Sequence, residues 1–215
     1  VRFAAQLQYE VAPATLESIS QNIKRLEIVS WERIRDEIIK SLKADKPSIA
    51  FYHMKETGLL SHVFPELDIM SGVDVIDGKG HKDVFIHTLQ VVDNAAKLTP
   101  NMAVRFAALV HDIAKPRTKH FDKKKGWTFH GHDEIGQRML KNVAQRMKLS
   151  NQLRDYLMLL TKLHLRPITL AMEGITDSAV RRVMAEAGEH IDDLMMLCRA
   201  DITTKDPKRV KKYMG

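Results

Sequence analysis

The chain has 215 residues, 44% of them apolar, which is enough for one large or two small domains around a buried core. No apolar run approaches the roughly 20 residues that span a bilayer, and no signal-peptide pattern opens the chain, so a membrane-spanning class is excluded. The net charge of +7 favours anionic partners, while a single cysteine, Cys198 in an apolar stretch, excludes a disulfide scaffold and makes a reducing cytoplasm the natural compartment.

Helical periodicity dominates from the start. Ile34, Ile38, Ile39 and Leu42 recur at spacings of three to four, and Ser30 is a good N-cap with Glu32 in the first turn. Ser71, Gly72, Gly78 and Gly80 then interrupt the pattern, placing a boundary within 68–80. A second helix is expected over 82–98, with Phe85, Leu89, Val92 and Ala96 on one stripe. A third, capped by Asn101, is expected to run to about Lys115, where Pro116 stops it. The segment 119–129 suits a short hairpin with Lys125-Gly126 at its turn. A fourth helix is expected from about Asp133 to Met147, and a fifth from Ser150 or Asn151 to a point before Pro167. A sixth starts at Asp177, and Gly188 interrupts it before a seventh from about Ile191. Long alternating β-branched runs are absent, so the fold class expected is all-α. The division expected is a helical neck or body over 1–75 followed by a helical metal-binding domain over 76–215.

Charge and histidines share this second part. Residues 1–70 carry nine basic and ten acidic side chains, so the excess of positive charge lies beyond them. It concentrates at Lys115, Arg117, Lys119 and Lys123–Lys125, and again at Lys205, Lys208, Arg209, Lys211 and Lys212. Such clusters suit nucleotides or RNA, although a lysine-rich solvated loop explains Lys123–Lys125 equally well. Eight of the ten histidines lie between 81 and 190. His87 sits mid-helix between Val84 and Val91, which aims its ring inward. His111-Asp112 ends the apolar run Phe106–Val110, and Asp201 ends another after Leu194, Leu197 and Ala200. Bare carboxylates in such places are costly to bury unless something positive satisfies them. Each feature alone has a bland reading as a core histidine or a helix end. One divalent ion accounts for all of them, since imidazole and carboxylate ligands suit Mn, Fe, Co, Ni, Zn or Mg. Adjacent helical residues diverge by about 100°, so His111 and Asp112 share an ion only if it sits close to their turn; alanines at 107, 108 and 114 permit that approach.

The pattern His87, His111-Asp112 and Asp201 resembles the H…HD…D signature of the HD superfamily of metal-dependent phosphohydrolases. That resemblance implies metal binding by these four residues. His132 and His164 are similar to the extra histidines that some members use for a second metal or for acid–base work. Lys115 follows in the segment His111-Asp112-Ile113-Ala114-Lys115, which departs from the commoner H-D-I-G-K only by the alanine at 114. Lys115, His132 and His164 are therefore the expected catalytic side chains.

A closer resemblance covers nearly the whole chain. Arg2-Phe3-Ala4-Ala5-Gln6-Leu7, Ser30-Trp31-Glu32-Arg33-Ile34, Thr57-Gly58-Leu59-Leu60 and Phe64-Pro65-Glu66-Leu67 look like the neck and body of bacterial tRNA nucleotidyltransferases (CCA-adding enzymes) and poly(A) polymerases. His81–Thr88, His164-Leu165-Arg166-Pro167 and Thr176–Arg182 are similar to the HD-bearing tail of many of those proteins. The resemblance implies tRNA or other RNA and nucleotide phosphate esters as partners, no membrane, and leaves oligomerisation open. Arg33, Arg117, Lys119 and Arg166 are the expected RNA or substrate contacts. The family's catalytic head carries a Gly-Ser pair followed by D-x-D carboxylates, and Ser71-Gly72 with Asp74 and Asp77 has the wrong order and spacing. The E-D-x-x-R strip expected just before Val1 is also absent, as is an initiator methionine, which agrees with a C-terminal piece of a longer protein. Nucleotidyl transfer needs the missing carboxylates and is not expected from this chain alone.

Two rival functions remain beside an HD phosphohydrolase acting on nucleotides, 2′,3′-cyclic phosphates or RNA ends. One is a non-catalytic tRNA-binding tail whose histidine cluster is a structural metal clamp. The other is an independent HD nucleotidase whose first helices are scaffold, which the neck-like motifs disfavour. Replacing His111 or Asp112 with alanine should abolish metal binding, as metal analysis of the purified proteins would show; stoichiometric metal retained in both variants would refute the assignment.

Overall fold

The computed structural model describes residues 1–173 and 176–203. The first segment holds α1 (Arg2–Leu7), α2 (Pro13–Gln21), a 3₁₀ stretch (Ile23–Ile28), α3 (Trp31–Leu42), α4 (Ser48–Glu56), α5 (Leu59–Val63) and α6 (Pro65–Asp68). Ser30 caps α3 as its sequence position implies, its Oγ accepting the Arg33 N–H at 3.4 Å. Two hairpins and eight helices follow among the described residues. They are β1 (Val75–Ile76) with β2 (Lys79–Gly80), α7 (Val84–Leu98), α8 (Met102–Val110), α9 (Lys115–Thr118), and β3 (His120–Asp122) with β4 (Gly126–Thr128). After them come α10 (His132–Arg146), α11 (Asn151–Leu163), α12 (Arg166–Glu173), α13 (Asp177–Ala187) and α14 (Ile191–Asp201), the last preceded by a 3₁₀ turn at Gly188–His190.

Helix α8 is the hub. It packs against α3, α7, α11 and α14, and Val104 through Val110 are all buried. A helix apolar on every side belongs in the interior. One continuous core joins both segments, running from Ile38, Leu42 and Phe51 through Phe85 and Phe106 to Leu157, Leu197 and Ala200. A smaller cluster of Leu163, Val183, Leu194 and Cys198 lies beneath α13, so the lone cysteine is a buried core residue.

Polar ties reinforce this union. Arg105, on the buried hub, donates to the Leu42, Ala44, Thr99 and Ala96 carbonyls at 2.9–3.1 Å, so one guanidinium satisfies the loop after α3 and the loop before α8. Asp93 of α7 caps α4 through the Ser48 N–H and hydroxyl, at 3.0 and 2.7 Å. Arg146 of α10 grips Glu66 of α6 with two bonds at 2.7 and 2.6 Å, the planar fork matching the carboxylate.

Four features differ from the sequence expectation. The third helix ends at Val110, short of Lys115, because Ile113 N–H turns to the Val110 carbonyl and Lys115 N–H to that of Asp112, tightening the chain into a turn. Pro116 opens α9 rather than closing α8, since a proline early in a helix loses no helical bond. Pro167 likewise stands at the start of α12, where the sequence suggested only the end of the fifth helix. Finally, a second hairpin, β1–β2, turns at Asp77-Gly78 with positive φ at both residues (51° and 71°), the conformation that the Asp-Gly pair favours.

Arg105→Met should lower stability by about 3–5 kcal/mol, because four buried carbonyls lose their donors. Urea unfolding would show a lower midpoint with an unchanged slope; an unchanged midpoint would contradict the role given to this residue.

Candidate metal centre

The turn that ends α8 delivers His111 and Asp112 into the interior, where they are 0% and 1% exposed. Helix α7 brings His87, the start of α10 brings His132, the end of α11 brings His164, and the end of α14 brings Asp201. Two donor groups result. His87, His111 and Asp201 form one, with Asp201 Oδ1 at 2.9 Å from His87 Nε2 and 3.5 Å from His111 Nε2. Asp112, His132 and His164 form the other, with Asp112 Oδ1 at 3.3 and 3.7 Å from the two Nε2 atoms. Asp112 lies between the groups, since its Oδ2 also stands 3.3 Å from His111 Nε2 and 3.7 Å from His87 Nε2.

The ring orientations follow from the backbone. His111 Nδ1 lies 2.8 Å from the Ala108 carbonyl, His132 Nδ1 2.7 Å from that of Phe129, and His164 Nδ1 2.6 Å from that of Thr161. A carbonyl only accepts, so each Nδ1 carries the hydrogen and donates it. Each Nε2 of a neutral ring is then a lone pair aimed at the centre. His132 Nε2 and His164 Nε2 face one another at 3.3 Å, and two lone pairs so placed need a proton or a cation between them. His111 Nε2 and Asp112 Oδ1 are buried without a hydrogen-bond partner among the described residues. Convergent imidazole nitrogens and carboxylate oxygens with orphaned, buried lone pairs fit a divalent metal.

Electrostatics agree. Burial alone would lower the His111 pKa, but the Asp112 and Asp201 carboxylates overcome it and raise it to about 10. Burial opposes ionisation of Asp112, yet His111 and Lys115 hold it well below the usual carboxylate range. Asp201 is also depressed, its burial outweighed by His111 and His87. His164 goes the other way, to about 4, through burial and then the charge of His111, so its ring stays neutral and free to ligate.

Lys115 Nζ sits 2.6 Å from Asp112 Oδ2 and lines a cavity of about 730 Å³ that opens on His87 and Asp201. The same cavity is walled by Lys79, Lys82, Lys125, Trp127 and Phe129. The remaining sequence candidates lie apart from this convergence. Lys119 pairs with Asp74 and sits 5.7 Å over the Trp127 ring, near the cavity wall. Arg117 is exposed on α9. Arg166 pairs with Glu186 at 3.1 Å, and Arg33 lines a separate groove with Phe3, Ile34 and Glu37. The basic cluster Lys205–Lys212 lies outside the described residues. Lys79, Lys82, Trp127 and Phe129 were missed as site residues, although the Asp77-Gly78 hairpin signal and the apolar hairpin sequence could have pointed to them.

Because an ion displaces the proton that the two carboxylates hold on His111, apparent metal affinity should rise with pH. The expected slope is about tenfold per unit for one proton released, up to the pKa near 10. Calorimetric Mn²⁺ titrations at several pH values would test this, and an affinity flat across neutral pH would contradict it. A Cβ at Gly136 would approach Thr161 Cγ2 to 2.9 Å, so Gly136→Ala should push α10 from α11 and separate His132 from His164. It should destabilise by about 1–3 kcal/mol, outweighing its gain in helix propensity; a more stable variant on thermal unfolding would refute that packing argument.

Comparison with known proteins gives two family matches. Residues 84–205 match the model described as "HD domain", and residues 8–70 match the one described as "Probable RNA and SrmB- binding site of polymerase A". The chain is also 36% identical over 183 residues to a "Multifunctional CCA protein" from Psychromonas ingrahamii, an alignment covering 81% of this chain and 42% of that relative. The chain thus spans less than half the length of the curated relative it matches.

Proposed function

We propose, from the premise that the chain belongs to the HD-domain family, that it is a metal-dependent phosphohydrolase joined to an RNA-binding body. The observation that carries this reading is the buried Asp112 carboxylate, with one oxygen facing His111 and His87 and the other facing His132 and His164. In this reading His87, His111, Asp112 and Asp201 hold a divalent ion, of the Mn, Ni, Mg, Fe, Co or Zn class. When bound, that ion supplies Lewis-acid stabilisation of charge on a phosphoryl group.

The chain's own residues do the rest. Lys115 reaches the cavity from Asp112 and offsets negative charge on phosphoryl oxygens there. His132 and His164 face Asp112 Oδ1 and do not line the cavity, which favours a ligand role over proton transfer to a leaving group. The lysines at the mouth concentrate anionic substrate. Residues 1–75 serve as the body that supports tRNA or a related RNA, by likeness to the matched RNA-binding segment. The substrates that fit are phosphate esters of nucleotides, 2′,3′-cyclic phosphates or RNA ends.

The test is hydrolysis of 2′,3′-cyclic AMP by the purified chain with Mn²⁺, Ni²⁺ or Mg²⁺. Turnover should vanish in His111→Ala and fall about 10²–10³-fold in Lys115→Ala, whose metal content is retained. Bound metal with no turnover in the unaltered chain would instead establish the structural clamp of an RNA-binding tail.

A further inference from the structure

The hairpins β1–β2 and β3–β4 are short, yet they are joined to one another. Trp127 Nε1 donates to the Lys79 carbonyl at 2.8 Å, fastening the second hairpin to the first. The His81 ring packs edge-on against Trp127 at 5.1 Å and against Phe129 at 5.9 Å. His81 is itself fixed, since its Nδ1–H donates to the Lys82 carbonyl at 2.7 Å and its Nε2 accepts the Asp74 N–H at 3.1 Å. The result is a preorganised aromatic wall, and all three rings line the cavity that opens on His87 and Asp201. Trp127 and Phe129 are only partly buried, although rings of their size gain most from full burial.

The wall also adjoins the metal centre. The Lys115 ammonium that touches Asp112 lies 5.7 Å from the Phe129 ring centroid, so one side chain bridges the two. On the solvent side, Lys79, Lys82 and Lys125 are exposed at the cavity rim. An aromatic surface beside a phosphoryl-handling centre, rimmed by cations, is the arrangement that binds a base by stacking and its flanking phosphates by charge.

We infer that Trp127 and Phe129, buttressed by His81, form a nucleobase platform that makes this site selective for nucleotides and RNA termini over phosphate esters lacking a base. The inference rests on the phosphohydrolase reading for the identity of the reacting group, but base stacking is measurable without hydrolysis.

Two measurements test it. In a Trp31→Phe background, where Trp127 is the remaining tryptophan, AMP should quench the tryptophan emission saturably and ribose 5-phosphate should not. Steady-state kinetics would then compare 2′,3′-cyclic AMP with glycerol 1,2-cyclic phosphate, which has the same reacting group and no base. Trp127→Ala should raise KM for the nucleotide roughly ten- to a hundredfold, leave kcat within about twofold, and leave the base-free ester unaffected. Trp127→Phe, which keeps a ring but loses the bond to Lys79, should recover most nucleotide affinity and guards against a mere folding defect in the alanine variant. Equal losses for both esters, or no AMP-specific quenching, would overturn the platform while leaving the hydrolase reading intact. Quenching by AMP in a protein that hydrolyses neither ester would leave the platform standing and remove the hydrolase reading.

Discussion

The structure depends on keeping one carboxylate ionised in an apolar interior. Asp112 is 1% exposed at the end of a helix whose last seven residues are all buried. Isolated there, the charge would cost many kcal/mol. The fold answers by aiming Lys115 and four imidazoles at it, from α7, α10, α11 and the turn of Asp112 itself. These partners come from elements far apart in the chain. The centre therefore exists only when the whole helical core is assembled.

That dependence explains the reach of the packing. Helix α8 positions His111 and Asp112, and α8 is held on both flanks by Arg105, whose guanidinium collects carbonyls from the first segment and from the α7–α8 loop. The RNA-binding-like segment and the HD segment share one core rather than meeting at a polar seam. A perturbation in either is thus expected to reach the candidate metal centre through packed side chains. Gly136 shows how tight the inner layer is, since a single methyl there would strike Thr161, three residues before His164.

Much of this was legible in the sequence. His87 stood out as a polar ring within a helix between Val84 and Val91, and His111, Asp112 and Asp201 because they closed apolar helical runs, where a buried charge announces a partner. The caps Ser30, Asn101 and Ser150 marked helix starts where they fall. Arg105 was not legible, because an arginine within an apolar run gives no local sign of which carbonyls it will satisfy. The early end of α8 was hidden for a related reason. The turn at His111–Ala114 is set by tertiary packing of two polar side chains, and helix propensity favours continuation. The hairpins are too short for periodicity to reveal: the Lys125-Gly126 turn signal marked β3–β4, whereas the Asp77-Gly78 pair was the local signal for β1–β2. Arg166 illustrates a further limit, for its pairing with Glu186 depends on how α12 meets α13.

On the proposed reading, a divalent ion held around Asp112 satisfies the converging lone pairs. The most direct measurement is anomalous diffraction from crystals grown with Mn²⁺, with data at the manganese edge. The expectation is anomalous density within coordination distance of the Asp112 carboxylate and of Nε2 of His87 and His111. Ordered manganese elsewhere, with Asp112 engaged only by Lys115 and a protonated His111, would contradict it.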